Sequence, residues 1–147
     1  MPVDKSKSLI LTYDKNGMDK VSHGDFDGAI SDYNQALELD SNNSVIYNNR
    51  GYAKAKKGSR DAALIDYDQA IKLNPNYAIA YDNRGIAKYK KGDVDGALAD
   101  WNRTIEIDPA FAQAYYNRSI VESKSSDLTK ANADLAVARQ FNPAIGK

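Results

Sequence analysis

The side chains that could do chemistry are few. His23 is the only histidine, and the chain has no cysteine. A nucleophile–base pair or a zinc centre draws at least two partners from those residue types, so neither is expected. Without cysteine there is no disulfide framework either, although this does not fix the compartment. Two acidic stretches, "DFDG" from Asp25 and "DVDG" from Asp93, carry only the opening of a calcium loop. The remaining oxygen ligands, the internal glycine and the closing glutamate are missing. No glycine-rich phosphate loop occurs. The expectation is a protein that is not an enzyme, with no catalytic residue, no metal and no cofactor.

The charged residues that recur are arranged for support. Arg50, Arg84 and Arg118 are evenly spaced, and Asp32, Asp66, Asp100 and Asp134 keep the same step. An arginine on a packed helix needs a carboxylate, because a buried unpaired charge is costly. In an antiparallel hairpin turning near Gly58 and Ser59, Arg50 and Asp66 are about equally far from the turn. This favours Arg50–Asp66, Arg84–Asp100 and Arg118–Asp134. The rival is pairing to the preceding unit, Asp32–Arg50 and onward, and it draws support from Asn16, which replaces arginine in the first unit.

The elements that hold these residues are themselves repeated. Tyr13, Tyr47, Tyr81 and Tyr115 keep the same step, as do Ala29, Ala63, Ala97 and Ala131. Tyr33, Tyr67, Trp101 and Leu135 keep a large apolar group in phase. Gly17, Gly51 and Gly85 break at Ser119; Gly24, Gly58 and Gly92 break at Ser126; Pro75, Pro109 and Pro143 begin from Ser41. Each unit reads as two helices. The first runs roughly from Tyr47 to Lys57 in the second unit and stops at Gly58. The second follows Asp25, Ser59, Asp93 or Asp127, all good N-cap types. Val94, Ala97, Leu98, Trp101, Ile105 and Ile107 give one apolar helix face, and "NP" or "DP" closes the unit.

A large aromatic, a small residue four later, then alanine, aromatic and proline at fixed offsets within each unit resembles the tetratricopeptide repeat. The third unit fits best, through Tyr81, Gly85, Ala97, Trp101 and Pro109. The resemblance implies an all-α, right-handed α-solenoid of four helix-turn-helix units, eight helices in all. A lead-in covers 1–9, and the units cover 10–43, 44–77, 78–111 and 112–145, forming a single solenoid domain. It implies a protein–protein interaction scaffold whose first helices line a concave groove for an extended peptide. The inward phases place Asn49, Asn83 and Asn117 in a ladder, and a primary amide offers donor and acceptor to a peptide backbone. Asn48, Asp82 and Tyr116 share a neighbouring phase. Tyr52 and Ile86, Tyr89, and Lys56 and Lys90 occupy others, with Met18 and Val21 as further apolar wall. The expected ligand carries apolar groups and an acidic one towards the lysines. One subclass, the binders of chaperone C-terminal tails, uses a two-carboxylate clamp. Its five positions here hold Asp14, Met18, Asn49, Ile79 and Asn83, or one unit later Asn48, Tyr52, Asn83, Gln113 and Asn117. One residue matches in each frame, so chaperone tails are expected to be excluded.

Lysine plus arginine and aspartate plus glutamate both total 20. A chain without basic excess is not expected to hold nucleic acid or an anionic membrane by bulk charge. No apolar run approaches the ~20 residues of a membrane span, and Leu9 to Leu11 is too short for a secretion signal. The expectation is a soluble chain, cytoplasmic by default. The last helix carries Leu128, Leu135, Val137 and Phe141 with only "AIGK" after Pro143. Part of that face is expected to lack cover, and a second copy of the chain packing there through Leu135, Val137 and Phe141 is the alternative function.

Overall fold

The computed structural model describes residues 4–147. Among these there are eight helices and no strand: α1 (Lys5–Ser22), α2 (Phe26–Leu39), α3 (Ser44–Lys57), α4 (Arg60–Leu73), α5 (Ala78–Lys90), α6 (Val94–Ile107), α7 (Ala112–Lys124) and α8 (Leu128–Phe141). Successive pairs form four hairpins, as expected. The hairpins fall into two compact units, residues 1–75 with α1–α4 and residues 76–147 with α5–α8. Within the first unit α2 packs on α3, and within the second α6 packs on α7.

The caps explain the boundaries. Asp25, Asp93 and Asp127 each accept a hydrogen bond from the amide three residues on, at 2.9, 2.9 and 3.3 Å, satisfying one of the orphan donors of the first turn. Ser59 occupies the same position without a side-chain bond. Helix α3 starts one turn earlier than the sequence suggests, because Asn43 accepts from the Ile46 amide at 3.2 Å and caps it. At the other end Gly58 takes φ +97°, letting the Ser59 amide reach back to the Lys54 carbonyl at 2.9 Å. The fourth hairpin makes this turn with Ser126 at φ 68°, a conformation that disfavours a side chain.

Inside each hairpin the small and large positions fit together. A methyl group built on Gly17, Gly51 or Gly85 would stand 2.6, 2.8 or 2.8 Å from Tyr33, Tyr67 or Trp101, respectively. Only glycine lets the paired helices close over these rings. In the fourth hairpin the large residue is Leu135 and the small one is Ser119, so both halves of the contact change together. The core of the first unit gathers Ala29, Tyr33, Ala36, Leu37, Ile46 and Ala53. That of the second gathers Ala97, Trp101, Ala114 and Val121.

The arginines pair within hairpins, which decides between the two alternatives. Arg50 donates through Nε and Nη2 to both oxygens of Asp66 at 2.9 and 2.7 Å. Arg84 does the same to Asp100, at 2.9 and 2.7 Å, and Arg118 to Asp134 at 2.5 and 2.7 Å. Such fork-to-fork pairs are the strong geometry. The third nitrogen serves the preceding hairpin instead: Arg50 Nη1 donates to Asn34 at 2.8 Å, and Arg118 Nη1 to Asn102 at 2.9 Å. Each guanidinium also lies over the tyrosine three residues before it, at 5.4–5.6 Å from Tyr47, Tyr81 and Tyr115. Asp32, which has no arginine, takes Lys20 at 2.7 Å. The same lysine phase returns as Lys54 on Asp66 at 2.8 Å and Lys88 on Asp100 at 2.9 Å.

The C-terminal segment covers part of the face expected to be bare. Ile145 is buried, and Arg139 Nε donates to its carbonyl at 3.4 Å. A methyl group on Gly146 would stand 3.0 Å from Tyr116 and 3.5 Å from Leu135. Leu135 and Val137 are half-buried, whereas Leu128 and Phe141 stay exposed. Ile145 falls one repeat after Phe111, which packs on the core of the second unit, so the same phase does the same work.

Candidate functional site

In the first unit the first helices are α1 and α3; in the second they are α5 and α7. Asn49 and Asn117, from the predicted ladder, are half-buried and held in the same way. Asn49 Nδ2 donates to Asp14 Oδ1 at 2.8 Å, and Asn117 Nδ2 donates to Asp82 Oδ1 at 3.0 Å. In each case the carboxylate comes from the preceding first helix. The oxygens are also approached: Asn48 Nδ2 lies 3.4 Å from Asn49 Oδ1, and Gln113 Nε2 donates to Asn117 Oδ1 at 3.0 Å. A primary amide has two N–H donors and two lone pairs. Each of these amides is therefore fixed in orientation while keeping one donor and one acceptor uncommitted.

The other predicted residues divide by depth. Asn48 and Asp82 are 3% and 5% exposed, so they stand behind the face and orient its asparagines. Asn83, Ile86, Tyr89 and Tyr116 are half-buried; Tyr52, Lys56 and Lys90 are exposed. The lysines lean on aromatic rings, Lys56 over Tyr52 and Lys124 over Tyr89, both at 5.3 Å. Sequence reasoning missed the carboxylate–asparagine links, although their signal is present: Asp14 to Asn49 and Asp82 to Asn117 are equal steps, each one position past the repeat. It also missed Phe26 and Tyr33, which join Met18 and Val21 around a cavity in the first unit. His23 caps α1, its Nδ1 2.7 Å from the Asp19 carbonyl.

Burial pushes the Asp82 carboxyl up to about 6, while the Asn117 amide and the Trp101 indole act in the opposite direction. A carboxyl raised on folding stabilises most where it is protonated in both states. That contribution is complete below its ordinary value of 3.8 and is lost as pH rises through about 6. Two pH units of separation correspond to a loss of about 3 kcal/mol. Asp82→Asn, which cannot ionise, is expected to gain on the native chain by that amount between pH 4 and pH 7. Urea midpoints across this range check it, and a constant difference between the two proteins refutes it.

Among the described residues no group of histidines, aspartates and glutamates could hold a metal ion, and no helix is long and apolar enough to cross a membrane.

No curated protein matches the chain in sequence. Among solved structures, a crystal structure of MamA is 25% identical, covering 91% of this chain and 78% of that one with a TM-score of 0.80. The first TPR of Spaghetti (RPAP3), bound to the HSP90 peptide SRMEEVD, is 26% identical, covering 88% of this chain and 94% of that one, TM-score 0.71. The second TPR domain of human RPAP3, in complex with the HSP70 peptide SGPTIEEVD, is 24% identical, covering 86% and 98%, TM-score 0.70. The first of these RPAP3 domains overturns the expected exclusion of chaperone tails, because a domain built like this one holds an HSP90 peptide. The exclusion counted five positions for one clamp. A TPR-repeat model matches residues 19–58, 53–92 and 87–121. That family is generally a non-catalytic protein-interaction fold, and the chain belongs to it, the tetratricopeptide repeat family.

Proposed function

We infer that the chain is a non-catalytic interaction module, each unit holding an extended segment of another protein along the face of its first helices. The observation that carries this is the pair of oriented amides. Asn49 and Asn117 are each fixed by a carboxylate from the neighbouring first helix, and each keeps one donor and one acceptor. An extended peptide backbone offers the complement of those two groups, whatever its side chains. Tyr52, Ile86, Tyr89 and Tyr116 flank the amides with the residue types that dominate interface cores. Lys56 and Lys90 add positive charge at the edge, which suits a segment with an acidic end. The HSP90 peptide held by the first TPR of RPAP3 has such an end, and acidic C-terminal tails belong among the candidate ligands.

Fluorescence anisotropy with labelled SRMEEVD and with its amidated form tests the reading. The native chain is expected to bind at micromolar concentrations. Asn49→Ala with Asn117→Ala is expected to weaken binding about tenfold, the order of one or two backbone hydrogen bonds lost. Equal affinity of the double variant would remove the amides from the site. Self-association through α8 is the competing reading, resting on the exposed Leu128 and Phe141. Light scattering separates the two: a monomeric mass for the native chain rules out assembly through this helix, and a dimer that dissociates in Phe141→Lys supports it.

A further inference from the structure

The first unit contains a cavity of about 600 Å³ between α1, α2 and α3, walled by Met18, Val21, Phe26, Tyr33 and Tyr52 with Lys56 at its edge. The second unit contains a cavity at the same repeat phases, two repeats further on, of about 190 Å³. There Ile86 stands for Met18, Trp101 for Tyr33, Asn117 for Asn49 and Ile120 for Tyr52. The decisive difference is at one phase, Val21 in the first unit and Tyr89 in the second. The Tyr89 ring lies 6.1 Å from Trp101, tilted by 53°, and its hydroxyl accepts a hydrogen bond from Lys124 Nζ at 2.6 Å. Lys124 holds the repeat phase of Lys56. The second unit thus fills this space with its own tyrosine and satisfies that hydroxyl with a lysine. The first unit keeps the walls and the lysine and replaces the tyrosine with valine.

We propose that the cavity of the first unit receives a tyrosine side chain of the bound segment, its ring against Met18 and Val21 above the buried Tyr33 and its hydroxyl accepting from Lys56. The proposal rests on the peptide reading above and specifies its anchor. Several observations suit that occupant. Met18 is 56% exposed at the mouth, an apolar cost that an incoming ring removes. Lys56 is the one ionised group in the wall, so an oxygen at the edge of the ring is favoured over a cation. The Tyr33 phenol does not compete as an anion, because burial first, and then the charges of Asp14 and Asp32, hold it protonated. Asn49 lines the same cavity, so the amide that meets the backbone and the pocket that meets the side chain lie side by side.

Amide NMR titration with acetyl-Ala-Ala-Tyr-Ala-Ala-amide, with its Phe and all-Ala counterparts, and with 4-methylphenol tests this. The tyrosine peptide and 4-methylphenol are expected to shift the signals of Met18, Val21, Tyr33 and Lys56, and the all-Ala peptide to leave them in place. Val21→Tyr is expected to fold, since Tyr89 is accommodated at the same phase, and to weaken tyrosine-peptide binding at least tenfold. Lys56→Met is expected to remove the preference for tyrosine over phenylalanine without loss of the phenylalanine peptide. Undiminished binding by Val21→Tyr overturns the proposal, as does equal binding of the all-Ala peptide. Entry of 4-methylphenol without any peptide binding supports the cavity's chemistry and overturns the peptide reading. Binding of all peptides alike, lost with Asn49→Ala, supports the peptide reading and overturns the tyrosine anchor.

Discussion

Trp101→Ala is expected to lower the unfolding free energy by about 3–5 kcal/mol, the usual cost of emptying a large aromatic site. Trp101 is the largest of the fully buried side chains, 2% exposed. It packs with Ala97, Ala114 and Val121 and faces the bare backbone of Gly85. Small alanines and a glycine cannot move in to close such a hole, so the cavity penalty stays large. Urea denaturation followed by circular dichroism measures it, and a loss below about 1 kcal/mol would mean that the second unit does not depend on this ring. The fourth hairpin supplies a sharper control. There the pair is Leu135 with Ser119 rather than Trp101 with Gly85. Trp101→Leu leaves a gap, and Gly85→Ser alone drives its Cβ to 2.8 Å from the indole nitrogen. The double variant is expected to lose less than the sum of the two, because the serine occupies room that the leucine vacates.

Asp66→Ala is expected to cost about 3 kcal/mol, as breaking a buried pair from one side does. Asp66 is 2% exposed and receives both Arg50 and Lys54. Removing it leaves two cations facing a poorly solvated site. The figure sits at the lower end of the usual range because the Arg50 and Lys54 side chains are 19% and 21% exposed and keep some water. Asp66→Asn, which retains an acceptor, is expected to lose less. Thermal and urea unfolding of both variants check this. A change below about 1 kcal/mol in Asp66→Ala would place the cluster with ordinary surface ion pairs.

Most of the scaffold was legible because it rests on spacing. Phases that recur at one constant step fix the hairpins, and equal distance from the turn fixed Arg50 opposite Asp66. What escaped was second-order. Lys20, Lys54 and Lys88 follow the arginine phase by one helical turn, so they share its face and its carboxylate; a search for one partner per charge passes over the second. The links from Asp14 to Asn49 and from Asp82 to Asn117 join different first helices and overshoot the repeat by one position. Reading each phase by itself placed Asn48 and Asp82 on the open wall, although packing buries them. The chaperone-tail exclusion matched residues position by position against one clamp, and a domain of the same fold, 26% identical, holds an HSP90 peptide. The cavity difference between Val21 and Tyr89 stayed hidden in the sequence, since either side chain satisfies an apolar pattern.

The lysine series ends at Glu122. Beside Asp134 its carboxyl is raised, by burial first and then by the neighbouring negative charge, and its Oε2 is enclosed without a partner among the described residues. The same hairpin turns at Ser126, where the others have glycine. Both departures lie in the α7–α8 hairpin. Within the second unit, the α7–α8 hairpin is therefore expected to lose amide-exchange protection before the α5–α6 hairpin does.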